Sequence, residues 1–131
     1  MAGSITVTSA KVGPIRKWTI AWVSDASGDV NVDARSYGRG WIEQIKYEPD
    51  GGGTQPTNAY DLVMNDAGAE DVFTGTGANL SNSAGTYLVP MIGDGTTTDR
   101  EIFIDGEDLD LVVSNAGNAK GGTIYLYVRE V

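Results

Sequence analysis

Eighteen carboxylates are the side chains best able to do acid–base chemistry in this 131-residue chain, which holds neither histidine nor cysteine. Two acids flanking a glycosidic bond can hydrolyse it, but among eighteen acids such pairs arise by chance, and no spacing singles one out. Without histidine, the chain lacks the group most often used for proton transfer near neutral pH and the commonest transition-metal ligand. Without cysteine, it lacks thiol nucleophiles, zinc-thiolate sites and disulfides. No nucleophile–base pair of the common kinds can be assembled. The expectation is a protein that is not an enzyme and uses no cofactor.

The densest acidic run, Asp105-Gly106-Glu107-Asp108-Leu109-Asp110, could offer oxygen ligands to calcium. Its spacing does not fit the alternating ligands, sixth-position glycine and twelfth-position glutamate of an EF-hand loop, so it reads as a charged turn between strands. Gly75-Thr76-Gly77-Ala78-Asn79-Leu80 starts like a dinucleotide fingerprint, but leucine stands where the third glycine belongs. Gly93-Asp94-Gly95-Thr96-Thr97-Thr98 lacks the lysine of a phosphate loop. Both read as ordinary turns. Trp18, Trp22 and Trp41 with Tyr37, Tyr47 and Tyr60 could form a sugar-stacking platform. Trp18 and Trp22 share a strand face with Ile20 and read as core, which leaves Tyr37, set among Arg35, Ser36, Gly38 and Arg39, as the surface candidate.

The elements that must position these residues are strands. Runs of five to ten residues are separated by Gly, Asp, Asn, Ser and Pro clusters, and no helical period persists. In residues 15–23, Trp18, Ile20 and Trp22 alternate with Lys17, Thr19 and Ala21, the period of two that a strand requires. Residues 24–29 read as the turn of a hairpin leading to a short strand over 30–33. In residues 40–48, Trp41, Ile45 and Tyr47 fall on one side and Ile42, Gln44 and Lys46 on the other, with Glu43 interrupting the apolar side. Residues 75–86, almost free of bulky apolar side chains, read as a long loop. The final two strands, 109–114 and 123–131, read as a hairpin closed by residues 115–122. About eight strands with closely spaced turns indicate an all-β fold, a single-domain, jelly-roll-like β-sandwich. Residues 1–14 would be an N-terminal arm or edge strand and residues 15–131 the sandwich domain.

The formal charge of −9 opposes contact with a phosphate backbone, so nucleic acid is not an expected partner. The N-terminal residues lack the basic and apolar regions of a secretory signal. No run approaches the ~20 apolar residues of a membrane span, so no membrane partner is expected. Residues 1–46 hold six basic and four acidic side chains, whereas residues 47–131 hold three and fourteen. The negative excess lies entirely in the later part.

The segment Ser114-Asn115-Ala116-Gly117-Asn118-Ala119-Lys120-Gly121-Gly122-Thr123-Ile124-Tyr125-Leu126-Tyr127-Val128, with Pro56-Thr57-Asn58-Ala59-Tyr60-Asp61-Leu62 and the strand and turn over residues 18–28, resembles the capsid decoration, or cement, proteins of tailed phages. The resemblance is one of pattern across most of the chain and rests on no single motif. It implies a β-sandwich module on the outer surface of the virion, made in the host cytoplasm, with the major capsid protein as partner and a homotrimer as the working form. A receptor- or glycan-binding module of a phage tail or fibre is the alternative.

Within that frame, the alternation Ile5-Thr6-Val7-Thr8 suits pairing with a neighbouring sheet edge. Lys11, Arg16 and Lys17 would add attraction to an acidic surface, so Ile5, Val7, Lys11, Arg16 and Lys17 are the expected capsid contacts. In the last strand Ile124, Leu126 and Val128 occupy one face and Tyr125 and Tyr127 the other. One face suffices for a core, which makes Tyr125 and Tyr127 the expected oligomer interface.

Overall fold

The computed structural model describes residues 3–93 and 99–131. These contain twelve strands and one short 3-10 turn (Gly52–Thr54). The strands are β1 (Ser4–Val12), β2 (Ile15–Val23), β3 (Val30–Asn31), β4 (Arg35–Ser36), β5 (Arg39–Pro49), β6 (Asp61–Asn65), β7 (Thr86–Leu88), β8 (Met91–Gly93), β9 (Asp99–Glu101), β10 (Phe103–Asp105), β11 (Asp108–Ser114) and β12 (Gly121–Glu130). The chain is thus an all-β sandwich. The strand count exceeds the expected eight because six of these strands are only two or three residues long, too short to show a period. Residues 94–98, most of the turn expected at 93–98, lie outside the described residues.

A six-stranded sheet runs in the order β1-β2-β12-β5-β10, with β7 also paired to β5. The second sheet is built on β11, which pairs with β3, β4 and β6, while β8 and β9 form a separate ribbon. All of these pairings are antiparallel. The alternation along each long strand gives one sheet an inner face of Ile20, Trp22, Ile42, Ile45, Tyr47, Ile124, Leu126 and Val128. The other contributes Val30, Leu62, Met64, Leu109, Leu111 and Val113, and together they form one buried core.

Two expected hairpins are instead crossings between the sheets. β2 pairs with β1 and β12, whereas β3 pairs with β11, so residues 24–29 carry the chain from one sheet to the other. Likewise β11 and β12 lie in different sheets, and residues 115–120 carry the chain back. A turn signal marks where a strand ends but not which strand comes next to it. These two crossings pack on each other at one end of the sandwich. The buried Ser24 hydroxyl donates to the Gly117 carbonyl (2.6 Å) and accepts from Lys120 N–H (2.9 Å), and Ala116 N–H donates to the Gly28 carbonyl (3.0 Å). A Cβ on Gly28 would lie 2.7 Å from the Gly117 nitrogen, which explains glycine at this approach.

Strict alternation also fails within β5. Register with β12 shifts between Tyr127 and Val128, where Ile42 and Gln44 are the partners and Glu43 is the extra residue. This bulge resets the parity, so Ile42, Ile45 and Tyr47 all point inward, while Trp41 does not join them. The connection between β6 and β7, residues 66–85, does core work: Leu80 of the expected loop and Phe73 just before it are buried, and the Asp71 carboxylate accepts the backbone N–H groups of Met64, Phe73 and Gly75. It therefore closes the space between the sheets.

Candidate functional site

The C-terminal strand sits in the middle of the six-stranded sheet, between β2 and β5. Because Ile124, Leu126 and Val128 fill the core side, Tyr125 and Tyr127 must lie on the outer side. Register decides their neighbours. Tyr125 stands opposite Thr19 and Lys46, and Tyr127 opposite Lys17 and Gln44. On the far side of β5, Lys46 stands opposite Tyr87, which is 58% exposed.

The result is an interleaved row of aromatic rings and ammonium groups. The Lys17 ammonium lies 4.5 Å from the centre of the Tyr125 ring and 5.9 Å from that of Tyr127, and the Lys46 ammonium lies 5.3 Å from Tyr125 and 4.8 Å from Tyr87. Each such contact contributes about 0.5–1 kcal/mol at an exposed site, which biases the long side chains toward the rings against their rotamer entropy of about 2 kcal/mol. Glu48 takes Lys46 (3.1 Å) and the Tyr87 hydroxyl (3.3 Å) at the rim. The hydrogen bonds to Glu48 and Tyr87 raise the Lys46 pKa above its ordinary value, so this cation stays charged at any physiological pH. Lys17 has no carboxylate partner among the described residues.

The expected contact residues are divided by the fold. Ile5 and Val7 stand opposite Trp22 and Ile20 and pack against their own core. β1 is an edge strand hydrogen-bonded to β2 along its whole length. Lys11 and Arg16 both reach Glu130, at 3.0 Å each. Lys17 alone of the five joins Tyr125 and Tyr127. Residues expected for two separate purposes thus meet on one face, and Tyr87 and Lys46, which sequence reasoning missed, complete it. The alternation of Lys46 with buried Tyr47 was visible, but the cross-strand register that brings Tyr87 beside it was not.

Glu130 offers a test of this end of the sandwich. Hydrogen bonds from Lys11 and Arg16 hold its carboxyl below the ordinary value of 4.5. A lowered folded-state pKa stabilises the fold above the unfolded value, and this contribution disappears as pH falls through the folded value. We expect Glu130→Gln to flatten the pH dependence of the urea midpoint below about pH 4.5, while wild type loses stability there.

The sugar-platform aromatics do not converge. Tyr37 is only 1% exposed, its ring 5.5 Å from Trp18 in an edge-to-face contact, and burial pushes its pKa up to about 12. The expectation of Tyr37 as a surface residue is therefore corrected: polar neighbours in sequence did not keep it out of the core. Trp22, Tyr47 and Tyr60 are also buried. Trp41 instead makes an edge-to-face pair with Phe103 at 5.0 Å, beside a groove of about 660 Å3 lined also by Arg100, Glu101 and Arg129. Arg129 is held there by Glu43 and Glu101.

The run from Asp105 to Asp110 spans the end of β10, a two-residue turn at Gly106-Glu107 and the start of β11, with the Asp105 carboxylate accepting Glu107 N–H at 3.0 Å. Among the described residues, no three acidic side chains gather as a metal site. Comparison with protein-family models, with curated proteins and with solved structures finds no match.

Proposed function

We propose that this chain is a virion structural protein that binds the outer surface of a tailed-phage capsid and reinforces it as a homotrimer. The observation that carries the reading is the outer face of the six-stranded sheet. Tyr87, Tyr125 and Tyr127 are set around Lys17 and Lys46 on four hydrogen-bonded strands. Tyrosine-rich surfaces suit protein partners, since the ring packs while the hydroxyl remains hydrated at the rim. Sheet-borne residues are also held rigidly, so little side-chain freedom is lost on docking. The capsid as partner follows from the resemblance to decoration proteins. The mechanism is linkage: a ligand that prefers the assembled shell stabilises it by mass action.

Sedimentation of the purified protein with emptied shells that lack it tests this directly. Saturable co-sedimentation is the expected result, and protein left in the supernatant at every concentration would contradict it. The groove beside Trp41 and Phe103 favours a second reading, a receptor- or glycan-binding module. That protein would instead bind host surface material, with Trp41→Ala abolishing the binding.

A further inference from the structure

The two outer faces of the sandwich differ in charge. On the second sheet, β6 and β11 turn Leu62, Met64, Leu109, Leu111 and Val113 inward, so the alternating Asp61, Asp108 and Asp110 lie on the other side. The centre of the six-stranded sheet's outer face carries Lys17 and Lys46, with Glu48 at its rim and Arg129 paired with Glu43 and Glu101 at one end. A chain with net charge −9 has therefore placed two lysines and aromatic rings together at the centre of one face and aspartates on its opposite.

We propose that the Lys17–Lys46–tyrosine face docks on a carboxylate-rich protein surface of the shell; this rests on the capsid reading above. The argument is charge complementarity. An acidic partner attracts the lysine face and repels the aspartate face, so the field orients the protein before contact and suppresses the inverted approach. Once docked, a carboxylate can reach each ammonium from the solvent side while the tyrosine ring remains below it, and the rings supply the apolar area that an ion pair alone lacks. The heterologous alternative, in which this face binds the aspartate face of a second copy, joins opposite sides of one sandwich. Repetition of such a contact builds an open stack, not a closed ring, and so does not yield a trimer.

The test is binding of the full chain to emptied shells at about 50 and 500 mM salt, where screening separates electrostatic from apolar attraction. Three proteins are compared: wild type, Lys17→Glu/Lys46→Glu, and the opposite-face control Asp61→Asn/Asp108→Asn. Far-UV circular dichroism and the urea midpoint report folding, and Lys17→Gln/Lys46→Gln serves as the milder variant if charge reversal impairs it. We expect wild-type affinity to fall at high salt, the lysine variant to bind at least about tenfold more weakly at low salt with little salt dependence, and the control to bind like wild type. Wild-type binding that the folded lysine variants reproduce, with the same salt response, overturns the inference and leaves the capsid reading standing. No wild-type binding at either salt overturns both. If the lysine variants bind shells normally but dissociate from oligomer to monomer by light scattering, the face serves a second copy, and the inference is again overturned.

Discussion

Trp22→Ala should remove about 3–5 kcal/mol of folding stability, the range for deleting a buried tryptophan. Trp22 is 2% exposed and reaches from β2 across the core to Tyr60, its ring centre 5.5 Å away at a 45° tilt. The six-stranded sheet makes room for it by omitting a side chain: a Cβ on Gly122, its cross-strand neighbour, would lie 2.8 Å from the indole. Truncation therefore leaves a cavity with no side chain on its Gly122 wall to move in and fill it. Domains of ordinary stability have about 5–15 kcal/mol in total, so the variant should lie near the edge of folding. Urea denaturation measures the loss. A cost below about 1 kcal/mol would mean that the indole does not bridge the sheets.

The second large effect is expected from the opposite change, an added methyl at Gly40. This glycine, the second residue of β5, stands opposite Glu130 of β12, and a Cβ there would stand 2.1 Å from the Arg129 carbonyl oxygen and 2.8 Å from its carbon. Backbone, not a flexible side-chain end, blocks the space. Gly40→Ala must push β5 and β12 apart where Ile42 and Val128 are buried side by side. We expect a cost of about 3 kcal/mol, the upper end for overpacking, and a lower thermal midpoint. An unchanged midpoint would show that the two strands are not so closely apposed.

Residues whose role depends only on their own strand were legible in the sequence. The alternation of Ile124, Leu126 and Val128 with Tyr125 and Tyr127 identifies the two faces of β12, and the same period places Ile20 and Trp22 in the core. What escaped depends on neighbours distant in sequence. The bulge at Glu43 reverses the parity of β5, and an interrupted apolar side is its only trace in sequence. The crossings at residues 24–29 and 115–120 look like hairpin turns because Gly with Asp or Asn marks chain reversal in either case. Tyr37 is buried by Trp18, 19 positions earlier in the chain. The candidate face was legible as separate residues, Lys17, Tyr125 and Tyr127, but only register across β2, β12, β5 and β7 gathers them and adds Lys46 and Tyr87.

That gathering changes what a truncation of the N-terminal strand would report. Ile5 and Val7 cover Trp22 and Ile20, so deleting residues 2–8 would uncover core as well as remove an edge. Weakened shell binding by such a variant would not distinguish contact from unfolding. Substitution of exposed Lys17 leaves the core untouched and is the sharper probe.

The proposed role is to strengthen a shell by binding its assembled form. Its most direct measurement is the thermal disruption midpoint of emptied shells lacking the protein, titrated with purified wild type. We expect a midpoint that rises with added protein and continues to rise logarithmically once the sites are filled, as linkage requires. A midpoint that stays constant at concentrations where the protein is fully bound, or at every concentration because nothing binds, would contradict it.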